Sequence, residues 1–101
     1  MAGPFLPRGP TYVVGDEAVH CAGALGGTSY RIRNLDVNGS SYLTWGTTDR
    51  VVYVEPAEDA PAENTLGFTG DRTEVVCLPS DAWFISDRKG NFEVTPGEGG
   101  M

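Results

Sequence analysis

The residue types that most often carry metal or redox chemistry are scarce in this chain. It contains one histidine, His20, and two cysteines, Cys21 and Cys77, with no CxxC pair. Structural zinc sites use four ligands, of which two usually lie only a few residues apart. His20, Cys21 and Cys77 together would supply three ligands at unsuitable spacing. We therefore expect no metal and no cofactor.

Nucleophilic catalysis is equally poorly supported. His20 would have to act as the base for Ser41 or for a cysteine, and no GxSxG or related context surrounds a serine. Nothing in the sequence selects a catalytic pair from the 14 acidic residues. The glycine-rich stretches at 23–27 and 97–100 lack the lysine and the helix of a phosphate loop. We predict no catalytic residue and a non-enzymatic protein.

The aromatic residues suggest a different chemistry, because aromatic rings can stack on the apolar surfaces of sugars. A small domain must nevertheless use most of its aromatic side chains to fill the core. Trp45 precedes Gly46 at the end of a predicted strand, so it is the best candidate for an exposed aromatic residue. The other aromatic residues are assigned mainly to the core.

Charge limits the classes of partner. The chain carries 14 acidic and 7 basic residues, a formal net charge of -7, and six of the seven bases are arginines. A surface of this sign repels phosphate backbones and anionic lipids, so we expect neither a nucleic-acid nor a membrane partner. Arginine in place of lysine is typical of cations that sit in protein contacts.

The cysteines and the N-terminal residues bear on the cellular compartment. Cys77 lies in the apolar run 75–78, which favours a buried free thiol over a disulfide with Cys21, although pairing stays open. The stretch MAGPFLPRGP lacks the basic and apolar regions of a signal peptide, and no apolar run approaches about 18 residues. We expect a soluble protein made in a reducing cytoplasm.

Residues 1–10 are predicted to form an extended arm, and residues 11–101 a single domain. Three prolines and two glycines in the first ten residues keep the backbone extended and prevent it from joining the centre of a sheet. Phe5 and Leu6 form an apolar pair within this arm. The arm is either a strap over its own domain or a hook for a neighbour, and Phe5, Leu6 and Arg8 are the candidate partner contacts.

The remaining elements are predicted to be short strands. In residues 29–35, Tyr30, Ile32 and Asn34 point to one side and Arg31, Arg33 and Leu35 to the other. Other strands are predicted at residues 11–14, 17–21, 41–46, 49–55, 73–78, 82–86 and 92–95. Residues 66–68 are expected to touch the core, and the acidic residues 56–64 to form a solvated loop.

Turn signals suggest how these strands connect. Gly15 and Asp16 indicate a hairpin, residues 29–46 a second hairpin, and residues 87–91 a hairpin that pairs the last two strands. Pro96 and Gly97 are expected to end the last strand. About eight short strands without a helical pattern predict an all-β domain, a small jelly-roll-like β-sandwich, with a small barrel as the alternative.

Three stretches together resemble a known group of proteins. They are YRIRNLDVNGSSYLTWG, EVVCLPSDAWFIS and FEVTPGEGG, within residues 29–101. The combination is similar to small all-β structural proteins of tailed-bacteriophage virions, although the acidic loop 56–64 is richer in acid and proline than expected. The first 28 residues take no part in this resemblance.

The resemblance implies a capsid decoration or cement protein. Such a protein would bind the major capsid protein on the outside of the virion head, stabilise the shell and associate with itself. It implies no catalytic residue to transfer. The alternatives are a receptor-binding or glycan-binding module displayed on the head or tail, and a component of the head–tail connector.

Overall fold

The computed structural model describes residues 4–22 and 29–100, which form nine β-strands with no helix among them. The strands are β1 (Leu6–Pro7), β2 (Tyr12–Val14), β3 (Val19–His20), β4 (Ser29–Asn34), β5 (Ser40–Gly46), β6 (Thr65–Thr69), β7 (Thr73–Cys77), β8 (Trp83–Ser86) and β9 (Phe92–Glu98). The glycine-rich stretch 23–27, residues 1–3 of the arm and Met101 lie outside the described residues.

The strands pair as one long hairpin folded over on itself. β2 pairs with β9, β3 with β8, β4 with β7, and β5 with β6, all antiparallel. Two further ladders, β4 with β9 and β5 with β8, join these pairs side by side. The first sheet therefore has the order β2-β9-β4-β7, and the second sheet the order β3-β8-β5-β6. This is the arrangement of a jelly roll, and the predicted all-β sandwich is confirmed.

The core lies between the two sheets and follows the alternation of the strands. Tyr30, Ile32 and Asn34 of β4 are fully buried, as predicted, while Arg31 and Arg33 face outward. Aromatic rings meet edge to face across the core in the pairs Tyr30 with Phe84 and Phe68 with Phe92, with centroids 5.4 and 5.2 Å apart. Such contacts stabilise a packed pair beyond the area that they bury.

Polar groups at both ends of β4 fix the neighbouring loops. The Tyr30 hydroxyl donates to the Pro79 carbonyl at 2.9 Å and accepts from the Ala82 backbone N–H at 3.1 Å, which ties the turn before β8 to the first sheet. At the other end, the Asn34 side chain donates to the Gly70 carbonyl and accepts from the Asp36 N–H. These buried polar groups thus have partners, as burial requires.

The predicted hairpins are wrong in their pairing. β4 and β5 lie in different sheets, as do β2 and β3, and β9 joins the first sheet instead of pairing with β8. The turns at Gly15–Asp16, at residues 36–39 and at residues 87–91 do reverse the chain. In a jelly roll, however, these reversals carry the chain across from one sheet to the other.

The predicted strand 49–55 belongs to neither sheet ladder. Exposed and half-buried side chains still alternate along it: Val52 and Val54 are 70% and 45% exposed, and their neighbours Val51 and Tyr53 are half-buried. Threonine side chains hold its backbone in place of a partner strand: Val54 N–H donates to Thr44 Oγ1 at 3.2 Å. The segment is therefore a strap over the second sheet with the residue pattern of a strand.

Two shorter predictions also change. Residues 66–68 touch the core as expected, through the buried Phe68, and they also form part of β6, which was not predicted. β9 does not end at Thr95 but continues through Pro96 and Gly97 to Glu98.

Pro96 is tolerated in β9 because of the direction in which its backbone points. The Pro96 carbonyl accepts a hydrogen bond from the Arg8 N–H at 2.9 Å. In an extended strand, the N and O of one residue point to the same side, so the missing N–H of Pro96 faces the arm and not β4. The ladder between β4 and β9 consequently continues past the proline.

The described part of the arm pairs with its own domain. Leu6 and Pro7 lie opposite Glu98 and Gly97 of β9, so β1 and β2 follow the same edge of that strand. A Cβ added to Gly97 would overlap the backbone carbonyl oxygen of Leu6 and lie 2.5 Å from Phe5 Cζ. The Phe5 ring thus occupies the space that the absent side chain of Gly97 leaves open.

We predict that Gly97→Ala displaces the arm. The new methyl group would overlap the Leu6 carbonyl oxygen and the Phe5 ring, and overpacking of this kind costs about 1–3 kcal/mol of the free energy of unfolding. Urea denaturation would measure that loss, and amide hydrogen exchange should become faster at Leu6 and Arg8.

Gly39→Ala serves as the matched control, because its added Cβ would meet only the side chain of Asp36, at 3.2 Å. In a variant that lacks residues 1–7, Gly97→Ala should have little further effect. An equal loss of stability with and without the arm would contradict the contact between the arm and Gly97.

Candidate binding face

Arginines are concentrated on the outer surface of the first sheet. Because β4 alternates, Arg31 and Arg33 both point away from the core, and both are exposed. Across the ladder, Arg31 lies opposite Thr95 and Arg33 lies opposite Glu93 of β9. We call the outer surface of β4 and β9 around Arg31 and Arg33 the arginine face.

A shallow depression of about 240 Å³ lies in the arginine face. Its lining residues are Thr11, Arg31, Arg33, Glu93 and Thr95. The hydroxyl groups of Thr11 and Thr95 hydrogen-bond to each other at 2.7 Å, and a guanidinium nitrogen of Arg33 lies 4.0 Å from a carboxylate oxygen of Glu93. Within residues 4–22 and 29–100, Arg31 forms no ion pair. The depression therefore offers hydroxyl groups and a guanidinium that can bind an anion such as a carboxylate.

The three candidate partner contacts of the arm have different surroundings. Phe5 packs on Gly97, and Arg8 pairs with Glu98 at 2.7 Å. Leu6 is 47% exposed. Of the three, Leu6 is therefore the apolar side chain that the arm presents to solvent, while Phe5 and Arg8 hold the arm on β9.

Trp45 requires a correction, because it is half-buried and packs against the core instead of being exposed. It lies opposite Phe84 in the ladder between β5 and β8, and this register turns it inward. On the outer side of the same sheet, Trp83 stacks on His20 with ring centroids 4.7 Å apart and planes 5° apart. Sequence reasoning missed this pair because the partnership of β3 with β8 was not predicted.

The residues considered for catalysis, His20 and Ser41, have different surroundings. The His20 ring stacks on Trp83, whereas Ser41 is buried and hydrogen-bonds to Asp36 and Arg88. Arg88 also pairs with the Asp36 carboxylate, so this group ties the turn before β5 to the turn before β9. In the described ranges, no three His, Cys, Asp or Glu side chains lie close enough together to hold a metal ion.

The two cysteines are both free but differ in environment. Cys21 is fully buried, and burial raises the pKa of its thiol to about 12. Cys77 is exposed, so the prediction that its apolar run would bury it is wrong. β7 is an edge strand, and its alternation turns Val76 toward the core and Cys77 outward.

Comparison of the chain with protein-family models, with curated proteins and with solved structures gave no significant match. The part of the chain that the structure describes contains no helix long and apolar enough to cross a membrane. The function must therefore be inferred from the surfaces of the molecule itself.

We predict that stability falls at alkaline pH through Cys21. The folded protein keeps this thiol neutral up to about pH 12, whereas the unfolded chain ionises it above its ordinary pKa of 9.0. The contribution of the buried neutral thiol to the free energy of unfolding is complete below pH 9. It is lost as pH rises from 9 toward 12, by at most about 1.4 kcal/mol per pH unit. Urea denaturation at pH 7, 9 and 10 would measure it.

Cys21→Ala should be less stable at pH 7, because it leaves a small cavity, but should lose less stability between pH 9 and 10. Cys77→Ala, at an exposed position, should keep the slope of the unchanged protein. Identical slopes in all three proteins would show that Cys21 does not couple folding to pH.

Proposed function

We propose that this chain is a non-enzymatic structural protein of a tailed-bacteriophage virion, which decorates the outer surface of the capsid shell and binds the major capsid protein. The observation that carries the proposal is an open sheet edge with apolar side chains. β1 and β2 pair with β9 on one side, and Leu6 and Val13 on this edge are 47% and 58% exposed. Exposed strand edges are sites at which a neighbouring chain can add.

The fold supports the same proposal by analogy. Jelly rolls recur in the coat proteins of viruses and in lectins, although a fold shared in this way does not determine function. The stretches that resemble virion proteins supply β4, β5, β7, β8 and β9, which include the central strands of both sheets. The resemblance therefore concerns the framework of the domain, and the binding surface must be tested separately.

Charge supports a position on the outside of the shell. A net charge of -7 disfavours contact with packaged DNA. A glycan-binding function has less support, because it depended on an exposed Trp45 and this side chain packs against the core.

We predict that the double substitution Leu6→Asp, Val13→Asp reduces binding to capsid shells at least tenfold. Both side chains are exposed, so the domain should remain folded while the edge loses its apolar contacts. Co-sedimentation with undecorated shells of the virus that encodes the chain would give the number of copies bound per shell.

The control is Val52→Asp, Val54→Asp, which changes two exposed valines on the strap over the second sheet. This variant should bind shells like the unchanged protein. If the edge variant occupies shells as fully as the control, the edge is not the binding surface. If the unchanged protein does not bind shells at all, the proposed function is wrong.

A further inference from the structure

An acidic loop and the arginine face carry opposite charges. The acidic loop, residues 56–64, contains Glu58, Asp59 and Glu63 and no basic residue. Glu55 directly precedes it, and all four acids are exposed. None of them forms an ion pair with any residue that the structure describes. Arg31 is likewise without an ion pair in the same part of the chain. One molecule thus presents a group of exposed carboxylates and an exposed guanidinium that form no ion pair within the described residues.

The loop is held in a defined shape. Ala57 and Ala60 exchange two backbone hydrogen bonds, of 3.0 and 3.1 Å, which place Glu58 and Asp59 at the tip of a tight turn. Pro56 and Pro61 flank this turn and restrict its backbone further. A preformed turn loses little conformational freedom on binding, so more of its interaction energy appears as affinity.

The arginine face has the chemistry to bind these carboxylates, although the Arg33 guanidinium lies 4.0 Å from the Glu93 carboxylate and would have to exchange that partner. Arg31 and Arg33 are two residues apart on one strand, so their Cα atoms are about 7 Å apart and their side chains leave the sheet in the same direction. Guanidinium groups bind carboxylates through paired hydrogen bonds, which makes arginine more selective than lysine at such a site. The depression that they line with Thr11, Glu93 and Thr95 has a volume of about 240 Å³.

The loop and the face belong to opposite sides of the sandwich. The loop joins the strap over the second sheet to β6, whereas Arg31 and Arg33 lie on the outer surface of the first sheet. A molecule is therefore poorly placed to dock its loop on its own arginine face. We propose that the acidic loop of one copy docks on the arginine face of a second copy, with Glu58 and Asp59 bound to Arg31 and Arg33.

Such a contact is directional, because each copy donates one loop and accepts another. Contacts of this heterologous kind build rings or open chains, whereas a symmetric dimer would use the same patch twice. Exposed ion pairs are weak one at a time, so a single contact is expected to be transient in dilute solution. When many copies are held side by side on a repeating surface, avidity would strengthen the contact between the acidic loop and the arginine face. The inference goes beyond the proposed function and can be tested with no shell present.

The test uses two full-length variants in about 0.1 M salt, where the screening length of about 10 Å weakens the long-range repulsion between two acidic molecules. The face variant is Arg31→Glu, Arg33→Glu, and the loop variant is Glu58→Lys, Asp59→Lys. Sedimentation velocity at rising protein concentration, up to about 1 mM, should show association of the unchanged protein. Each variant alone should remain a monomer, because it lacks one half of the contact.

An equimolar mixture of the two variants should associate again. The intact loop of the face variant can dock on the intact arginine face of the loop variant. In spectra of isotope-labelled loop variant, addition of unlabelled face variant should shift the amide signals of Arg31, Arg33 and Thr95 first.

Matched controls separate this contact from an effect of net charge. Arg50→Glu, Lys89→Glu has the same net charge as the face variant, and Asp16→Lys, Glu17→Lys the same as the loop variant, and all four positions are exposed elsewhere on the surface. Both controls should associate like the unchanged protein. The inference is overturned if the unchanged protein is monomeric at 1 mM, if the mixture does not associate, or if the controls lose association equally.

Discussion

The ladder between β4 and β9 is the constraint on which the rest of the structure depends. Its inward residues, including Tyr30, Ile32 and Val94, form the centre of the core. Because strands alternate, the same register fixes what lies outside, so Arg31 and Arg33 must share the outer surface with Thr95 and Glu93. The free edge of β9 then receives β2 and the arm. One pairing therefore determines the core, the arginine face and the seat of the N-terminal residues.

The parts of the fold that depend on local pattern were predictable. Alternation in residues 29–35 correctly separated Tyr30 and Ile32 from Arg31 and Arg33, because burial on one face leaves a direct trace in the sequence. Strand partners leave no such trace. Turn residues show that the chain reverses, but they do not show whether it returns to the same sheet, and for this reason the hairpin 29–46 was predicted wrongly.

The candidate site was visible only in part for the same reason. Arg31 and Arg33 could be placed on one side of a strand, but Thr11, Glu93 and Thr95 join them only through the partnership with β9. Two other predictions were wrong because they applied a general rule, that proline ends a strand and that an apolar run is buried, without knowing which strands are neighbours. β9 continues through Pro96 because the position of the missing N–H faces the arm and not β4. Cys77 is exposed because β7 lies at the edge of its sheet.

The nested pairing of the strands also has a consequence for how the molecule acquires its structure. The innermost hairpin, β5 with β6, joins residues close in the chain, whereas the outermost pair, β2 with β9, joins residues near opposite ends of the described sequence. A pair of strands distant in the chain is stabilised only after its long loop has closed, and folds dominated by such pairs form in roughly milliseconds to seconds. If the strands pair from the innermost hairpin outward, the edge of β9 that β2 and the arm cover is the last to be paired.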